Sequence, residues 1–146
     1  MDKFIGDGIL ALFGLVSSDP AGAVDCALEL RKKFEGIKKT WIRILSKDFG
    51  YANVRMNIKC GINCGEVLVG LTDTNTRTQL TVVGSTINLA SRIESEAHDD
   101  QIMISKEVSD KIQGKYRVEE VSIDKQIKSY PEINILYIVK EKITTT

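Results

Sequence analysis

The spacing of apolar residues changes its period in the first half of the chain, and this change restricts the fold more than any other feature. Over residues 20–46 apolar side chains recur at steps of three or four, which predicts a helix that Gly36 could interrupt. Asp19 is expected to cap this helix, and Pro20 suits its first position. Over residues 54–64 apolar and polar residues alternate, which predicts a half-buried strand. The chain is therefore expected to mix helices with strands.

The other elements follow from short apolar runs and turn residues. Gly6-Asp7-Gly8 separates two such runs and predicts a tight hairpin, with strands at 3–5 and 9–13. Gly84-Ser85 is expected to break the chain and cap a second helix, and the run 72–78 is expected to be an exposed loop. Further strands are predicted at 66–71, 80–83, 102–104, 116–121 and 133–139, with a short helix at 105–112. Together they predict one α+β domain over residues 1–146, with a largely antiparallel sheet covered by helices.

Composition excludes several classes of protein. The 146 residues include twenty Lys and Arg against twenty Asp and Glu, so the charge footprint of a nucleic-acid binder is missing. The longest apolar run, 9–16, is too short to span a membrane, and the start carries no apolar signal core, so no direct membrane insertion is expected. Three cysteines with one histidine argue against a disulfide framework or a zinc site. We expect a cytoplasmic location, for the chain or as a domain of a larger, membrane-attached protein.

A few polar positions could carry chemistry. Asp7 suits turn geometry, but beside its flanking glycines it could also bind a Mg²⁺ or Mn²⁺ ion that carries a phosphate. Asn88 and Arg92 are four residues apart and can act on one ligand. The alternatives are that this helix face is solvated or that Arg92 pairs with Glu96. Thr81 could face the same pocket as Asn88, although threonine is also an ordinary strand residue.

The cysteines of the alternating segment and the histidine are interpreted as structural. Cys60 and Cys64 share the apolar face and are expected in the core. His98 lies in a polar turn and is expected to be solvated, so a Ser-His-Asp hydrolase is not supported.

Three blocks of the sequence, taken together, resemble a known family. They are KFIGDGILALFG at 3–14, GINCGEVLVG at 61–70 and TVVGSTINLASR at 81–92. In order and spacing they are similar to the class III nucleotidyl cyclase catalytic domain, in its bacterial-type adenylyl cyclase subgroup, closely as far as Ser105. The resemblance implies a ferredoxin-like-derived fold and a homodimer that holds ATP across its subunit interface. It also implies the reaction, in which the ribose 3′-hydroxyl attacks the α-phosphate to form 3′,5′-cyclic AMP and pyrophosphate.

The resemblance assigns roles to individual residues. Asp7 resembles the second of two aspartates that hold two Mg²⁺ or Mn²⁺ ions in the intact domain. Lys3 and Thr81 resemble the base-selecting pair, and this combination favours adenine because guanylyl cyclases usually have Glu and Cys there. Asn88 and Arg92 resemble the transition-state pair, with Asn88 orienting the ribose and Arg92 countering charge on the phosphoryl oxygens.

The sequence also departs from the family pattern. No block like the family's first strand, Phe-x-Asp-Ile-x-Gly-Phe, is found, which implies a domain truncated at its N-terminus, without that strand, the helices that follow it and the first metal aspartate. Such a chain should be a weak or inactive enzyme. Leu80 stands where an aromatic is common, and Ser85 stands where Asp is common but can still cap. KQIK at 125–128 replaces the Lys-Gly-Lys that is usual in the family. Lys128 is therefore either the lysine that contacts the triphosphate of the substrate or a solvated surface lysine.

Two functions stay open. The retained candidate residues favour an adenylyl cyclase catalytic domain, with regulatory domains upstream in the parent protein. The absent aspartate favours a cyclase-like module of a signalling protein that binds nucleotide or dimerises without turnover.

Overall fold

The computed structural model describes residues 3–51, 53–74, 77–123 and 126–144. Its elements are β1 (Lys3–Ile5), β2 (Gly8–Leu10), α1 (Pro20–Asp48), β3 (Cys60–Ile62), β4 (Leu68–Thr74), β5 (Arg77–Val83), α2 (Ser85–Glu96), β6 (Ile102–Ile104), α3 (Lys106–Lys111), β7 (Tyr116–Ser122) and β8 (Ile135–Lys142). Helices and strands are mixed along the chain, which confirms the predicted α+β class.

The described strands form three sheets. The largest has four strands in the order β3-β6-β8-β7. In it β3 and β6 are parallel, whereas β8 is antiparallel to both of its neighbours. The other two sheets are antiparallel hairpins, β1 with β2 and β4 with β5. Antiparallel pairs therefore dominate, as the sequence predicts.

Helix α1 begins where the sequence predicts but does not break. Asp19 Oδ1 accepts a hydrogen bond of 2.9 Å from the Gly22 N–H, and Pro20 occupies the first helical position. These two residues satisfy or remove N–H groups that a helix start leaves unpaired. The helix continues through Gly36 to Asp48, so the interruption left open at Gly36 does not occur.

The core consists of two clusters on opposite faces of the large sheet. Neighbouring residues of β6 divide between them, since Ile102 and Ile104 join the first cluster and Met103 joins the second. Helices α1 and α3 cover the first cluster, and α2 covers the second. The buried members of the first are Val24, Ala27, Ile102, Ile104, Val108, Ile112, Tyr116 and Val139. Those of the second are Ile93, Ala97, Met103, Ile127, Leu136 and Ile138.

A polar contact joins the start of α1 to the large sheet. The Tyr116 hydroxyl donates to Asp25 Oδ1 at 2.8 Å, and Lys142 Nζ donates to Asp25 Oδ2 at 2.7 Å. The bond from Lys142 lowers the pKa of Asp25, with a smaller contribution from Tyr116. Burial, reinforced by the bond to Asp25, raises the pKa of Tyr116 to about 12. The contact therefore favours a charged carboxylate and a neutral phenol.

The long strand expected over 54–64 is shorter in the structure. Residues 54–59 alternate between half-buried and exposed, as predicted, but the strand begins only at Cys60. The Ile58 N–H donates to Asp100 Oδ1 at 3.1 Å, and Asp100 Oδ2 accepts from Lys38 Nζ at 2.9 Å. A side chain thus takes the place of a neighbouring strand before Cys60.

The exposed loop expected over 72–78 is wrong. Strands β4 and β5 continue to Thr74 and Arg77, which pair with each other. Threonines are β-branched and suit extended backbone, so a run without apolar residues can still form strands. The strand predicted at 66–71 corresponds to β4, which begins at Leu68 and pairs with β5. Residues 75 and 76, which join the two strands, lie outside the described residues.

Candidate active site

Helix α2 carries the predicted transition-state pair. Asn88 and Arg92 lie one turn apart on it, and both side chains are exposed. Within the described ranges neither side chain makes a hydrogen bond or an ion pair, so the pairing of Arg92 with Glu96 is not formed. Because residues four apart share a helix face, an amide and a guanidinium are available together to one ligand.

The first turn of α2 has no side-chain cap. The N-cap position belongs to Gly84, and no side chain bonds there. The expected capping by Ser85 is wrong because Ser85 is already the first helical residue. The Ile87 and Asn88 N–H groups share the Gly84 carbonyl, at 3.2 and 3.4 Å. These bonds are long, so the helix start depends on neighbouring elements for support.

Three side-chain hydrogen bonds join that turn to other segments. The Tyr130 hydroxyl donates to the Ser85 carbonyl at 2.9 Å, and Asn63 Nδ2 donates to the Thr86 carbonyl at 3.1 Å. The Thr86 hydroxyl donates to the Glu66 carbonyl at 2.7 Å. The start of α2 is thereby fixed to the segment after β3 and to the turn before β8.

Thr81 lies on β5, three residues before α2. It pairs with Gly70 of β4, and the next pair along the same face is Leu68 with Val83. Val82 points to the opposite face and is buried. Thr81 is half-buried and lies on the outward face with Leu68 and Val83, whose side chains are exposed.

The first hairpin carries the predicted metal and base residues. Asp7 is exposed in a turn with Gly6, whose φ of +61° is the left-handed conformation that glycine favours. The predicted hairpin is confirmed, although its second strand ends at Leu10. Lys3 is the first residue of β1, and its side chain lies outside the described part of the structure. Among the described strands, β1 and β2 pair with each other and with no strand of the other two sheets, so strand pairing does not connect this hairpin to β5.

Lys128 lies in a turn that reaches the start of α2 through Tyr130. Ile127 and Tyr130 form an isolated bridge, the Tyr130 N–H donates to the Ile127 carbonyl at 2.9 Å, and Lys128 is exposed between them. The structure thus places the predicted triphosphate lysine on the segment that contacts Ser85.

Asp7 fits only part of a metal site. The described residues hold no group of three His, Cys, Asp or Glu side chains that could bind a metal ion. Mg²⁺ is often held by one or two carboxylates together with substrate phosphates, so Asp7 fits one carboxylate of such a site. A clamp of two ions does not fit the described residues, because it needs a second shared carboxylate.

Other polar residues have structural surroundings. Cys60 and Cys64 are half-buried and pack against the first core cluster, as expected, and burial raises the pKa of the Cys60 thiol. His98 is exposed, also as expected. A cleft of about 570 Å³ beside α1 contains no predicted site residue. Its lining residues are Leu28, Arg31, Lys32, Glu35, Asp100, Lys140, Glu141 and Lys142.

The residues that anchor α2 were missed by sequence reasoning. Asn63 and Thr86 lie inside the blocks that carry the family resemblance, so the blocks mark their region without indicating their role. Tyr130 lies outside those blocks and contacts a carbonyl 45 residues away, which no local pattern could indicate.

The family described as "Adenylate and Guanylate cyclase catalytic domain" matches residues 3–140. The chain belongs to this family. This cyclase domain is 30% identical over 106 residues to "Adenylate cyclase, terminal-differentiation specific" of Dictyostelium discoideum. The aligned region covers 71% of this chain and 5% of that protein. It is 34% identical over 95 residues to "Adenylate cyclase" of Anabaena cylindrica, covering 64% of this chain and 18% of that protein. The domain thus spans a small part of both relatives.

Solved structures confirm the cyclase fold. The adenylyl cyclase CyaB from P. aeruginosa superposes with a TM-score of 0.81 at 28% identity, covering 96% of this chain and 70% of that chain. The guanylyl cyclase Cya2 superposes with a TM-score of 0.74 at 29% identity, covering 97% and 69%. Among the helices described for this cyclase domain, none is long and apolar enough to cross a membrane.

Proposed function

We propose that this cyclase domain converts ATP to 3′,5′-cyclic AMP and pyrophosphate at the interface between two copies of the chain. One observation carries the proposal: α2 presents Asn88 and Arg92 on one exposed face, with no partner for either side chain among the described residues. A helix face built in this way offers fixed donors to a ligand that gains negative charge as it reacts.

In phosphoryl transfer the protein contributes mainly by positioning the substrate and by stabilising charge on it. The ribose 3′-hydroxyl gives up its proton to water and attacks the α-phosphorus. A new P–O bond forms to the 3′-oxygen, the bond from the α-phosphorus to the oxygen bridging to the β-phosphate breaks, and pyrophosphate leaves with that electron pair. Asn88 would orient the ribose, and Arg92 would stabilise charge on the phosphoryl oxygens. Lys128 would contact the leaving phosphates, and Asp7 would hold a Mg²⁺ or Mn²⁺ ion against them. When bound, that ion would neutralise charge on the phosphates, whereas lowering the pKa of the attacking hydroxyl needs the ion that the missing first aspartate would hold.

Adenine is the proposed base. Thr81 can accept a hydrogen bond from the exocyclic amine of adenine, and Lys3 can donate to a ring nitrogen. Both curated relatives bear the name adenylate cyclase, which agrees with this choice. A similar fold also serves the guanylyl cyclase Cya2, so the base is assigned on Lys3 and Thr81 and not on the fold.

Two copies are proposed because the site residues lie beside uncovered apolar surface. On the β4–β5 hairpin Leu68 is 76% exposed and Val83 is 60% exposed, on the same strand face as Thr81. On the β1–β2 hairpin, Phe4 beside Lys3 is 67% exposed. A second copy that covered these side chains would remove apolar area from water and bring base-reading residues to the interface.

The setting is part of the same proposal. We place the domain in the cytoplasm, where ATP is available, as the catalytic part of a longer protein whose upstream domains control it. The small share of the curated relatives that the chain covers supports such an arrangement.

A module that binds nucleotide or dimerises without turnover is the second candidate. Asp7 is the single carboxylate of this chain that resembles a metal aspartate, and this favours a protein that does not catalyse by itself.

The deciding experiment compares two proteins under Mn²⁺ and ATP. One is this chain, and the other, the extended protein, carries upstream the missing strand block with its aspartate. The extended protein should form cyclic AMP and pyrophosphate in equal amounts, and the chain alone should form them far more slowly. Asp7→Asn in the extended protein keeps the turn and removes the carboxylate, so it serves as the matched control and should be nearly inactive. ATP binding without any product from the extended protein would support the second candidate.

A further inference from the structure

We infer that Tyr130 is a positioning residue, whose hydroxyl fixes the first turn of α2 and with it the placement of Asn88 and Arg92. The inference rests on the proposed function and adds to it a residue outside the three sequence blocks. It starts from the hydrogen bond of 2.9 Å that the Tyr130 hydroxyl donates to the Ser85 carbonyl.

The ring of Tyr130 is held independently of its hydroxyl. It packs against the second core cluster, as do Leu89 of α2 and Ile133, while the neighbouring Ile127 is a buried member of that cluster. The Ile133 N–H donates to the Tyr130 carbonyl at 3.1 Å, which fixes the backbone on its other side. The hydroxyl is therefore presented to α2 from a packed support, which is what a positioning group requires.

Ser85 is the place on α2 where such a bond has most effect. The helix has Gly84 at its N-cap and no side-chain cap, and the Gly84 carbonyl is shared by two N–H groups. The other two lateral bonds, from Asn63 and to Glu66, connect α2 to the segment that follows β3. Among the described contacts, Tyr130 makes the hydrogen bond that fixes this turn from the C-terminal side. Without it, the turn before Asn88 could rotate about the other two.

The same tyrosine closes the turn that carries Lys128. Tyr130 bridges to Ile127, so a shift of this turn moves Lys128 and the hydroxyl together. The hydroxyl thus links the predicted triphosphate lysine with the helix that carries Arg92. Two cations on separate segments, Lys128 and Arg92, are thereby kept at a set separation, which matters when both must meet one triphosphate.

Tyr130→Phe in the extended protein tests the inference, because it removes one oxygen and keeps the ring in its cluster. We expect kcat to fall by about three- to tenfold, the range for one lost hydrogen bond, with the KM for ATP and the thermal midpoint close to those of the parent. Tyr51→Phe is the matched control, because Tyr51 is 61% exposed and away from α2, and it should change none of these. An unchanged kcat, or a fall in kcat matched by a fall in folded protein, would overturn the inference.

Hydrogen exchange separates this inference from the proposed function. In the 146-residue chain without nucleotide, Tyr130→Phe should speed exchange of the Ile87 and Asn88 amides several-fold, while amides of α3 keep their rates. Equal rates in Tyr130→Phe and Tyr51→Phe would overturn the inference even if the enzyme is active. Faster exchange with no turnover by the unsubstituted extended protein would support the anchoring role and reject the proposed reaction.

Discussion

Gly61 of β3 lies directly against the backbone of Ala90 in α2. A Cβ added at Gly61 would approach the Ala90 carbonyl oxygen to 2.4 Å and the Glu94 N–H nitrogen to 2.3 Å. Real Cβ atoms essentially never come so close to backbone, so strand and helix touch at a spacing that only glycine allows. This contact sets the distance of the Asn88–Arg92 face from the sheet.

Gly61→Ala should therefore force α2 away from β3. Overpacking of this kind costs about 1–3 kcal/mol, and we expect the free energy of unfolding in urea to fall by that amount. Gly36→Ala is the control, because Gly36 lies in α1 with no atom within 4 Å of an added Cβ. That change should leave stability equal or raise it by about 0.5–1 kcal/mol. Equal stability of the two variants would contradict the close contact.

Arg92→Ala tests the transition-state role in the extended protein. The charge that Arg92 would meet develops only during transfer, so kcat should fall by about 10²-fold or more while KM for ATP changes little. Arg43→Ala, which removes an exposed arginine of α1, should leave both constants unchanged. A normal kcat with a raised KM would show that Arg92 only binds substrate.

Base choice can be tested by exchanging the two residues that would read the purine. Lys3→Glu together with Thr81→Cys should shift the preference of the extended protein from ATP toward GTP. Guanine reverses the donor and acceptor pattern of adenine, and each buried polar group left unpaired costs about 1–3 kcal/mol. The measurement is the ratio of kcat/KM for the two nucleotides, and an unaltered ratio would mean that these residues do not select the base.

Acid should weaken the contact between Asp100 and Lys38. Burial favours a raised pKa at Asp100, but hydrogen bonds from Lys38 and the Ile58 amide outweigh it and hold the pKa below its usual value of 3.8. A carboxyl whose pKa is lowered on folding stabilises the protein above its unfolded pKa, and this is lost as the pH falls through the folded value. The Asp100 side chain is 30% exposed, so the effect is about 1 kcal/mol or less.

Asp100→Asn measures that effect, because asparagine keeps an oxygen for the Ile58 amide and tolerates the φ of +61° found at this position. The measurement is the free energy of unfolding in urea. The variant should have a lower value than the parent near pH 7, and the difference between the two proteins should shrink below pH 4. Asp99→Asn, one residue earlier and exposed, is the control and should show no such trend. A difference that persists at low pH would assign the effect to something other than ionisation.

Periodicity predicted the positions of the helices because it is a local signal. Asp19 caps α1, as predicted. Ser105, predicted as the first residue of the short helix, is instead the N-cap of α3 and accepts a bond from the Val108 N–H. The errors arise where distant residues decide. Residues 54–59 have the alternation of a strand but meet Asp100 instead of a partner strand. The threonine-rich run lacks apolar residues and still pairs, because backbone bonds to β5 stabilise it.

The candidate site was predictable in its parts but not in its support. Asn88 and Arg92 could be placed together from helix geometry alone, and the structure bears this out. How the Asp7 hairpin lies relative to α2 is not encoded in any sequence spacing, and the first hairpin forms a sheet of its own. The contact of Tyr130 with α2 could not be predicted from the sequence either, because it depends on a fold that brings residues 85 and 130 together.

The position of β8 inside the large sheet has a consequence for synthesis of the protein. β8 comes last in the chain, yet it lies between β6 and β7 and joins them. Until residues 135–142 leave the ribosome, β7 lacks the neighbour with which it pairs among the described strands, and both core clusters lack their β8 side chains. Nascent chains that stall before this strand would expose apolar surface to chaperones and proteases. Folding of this sheet must therefore follow translation of its final strand, however early α1 and the first hairpin form.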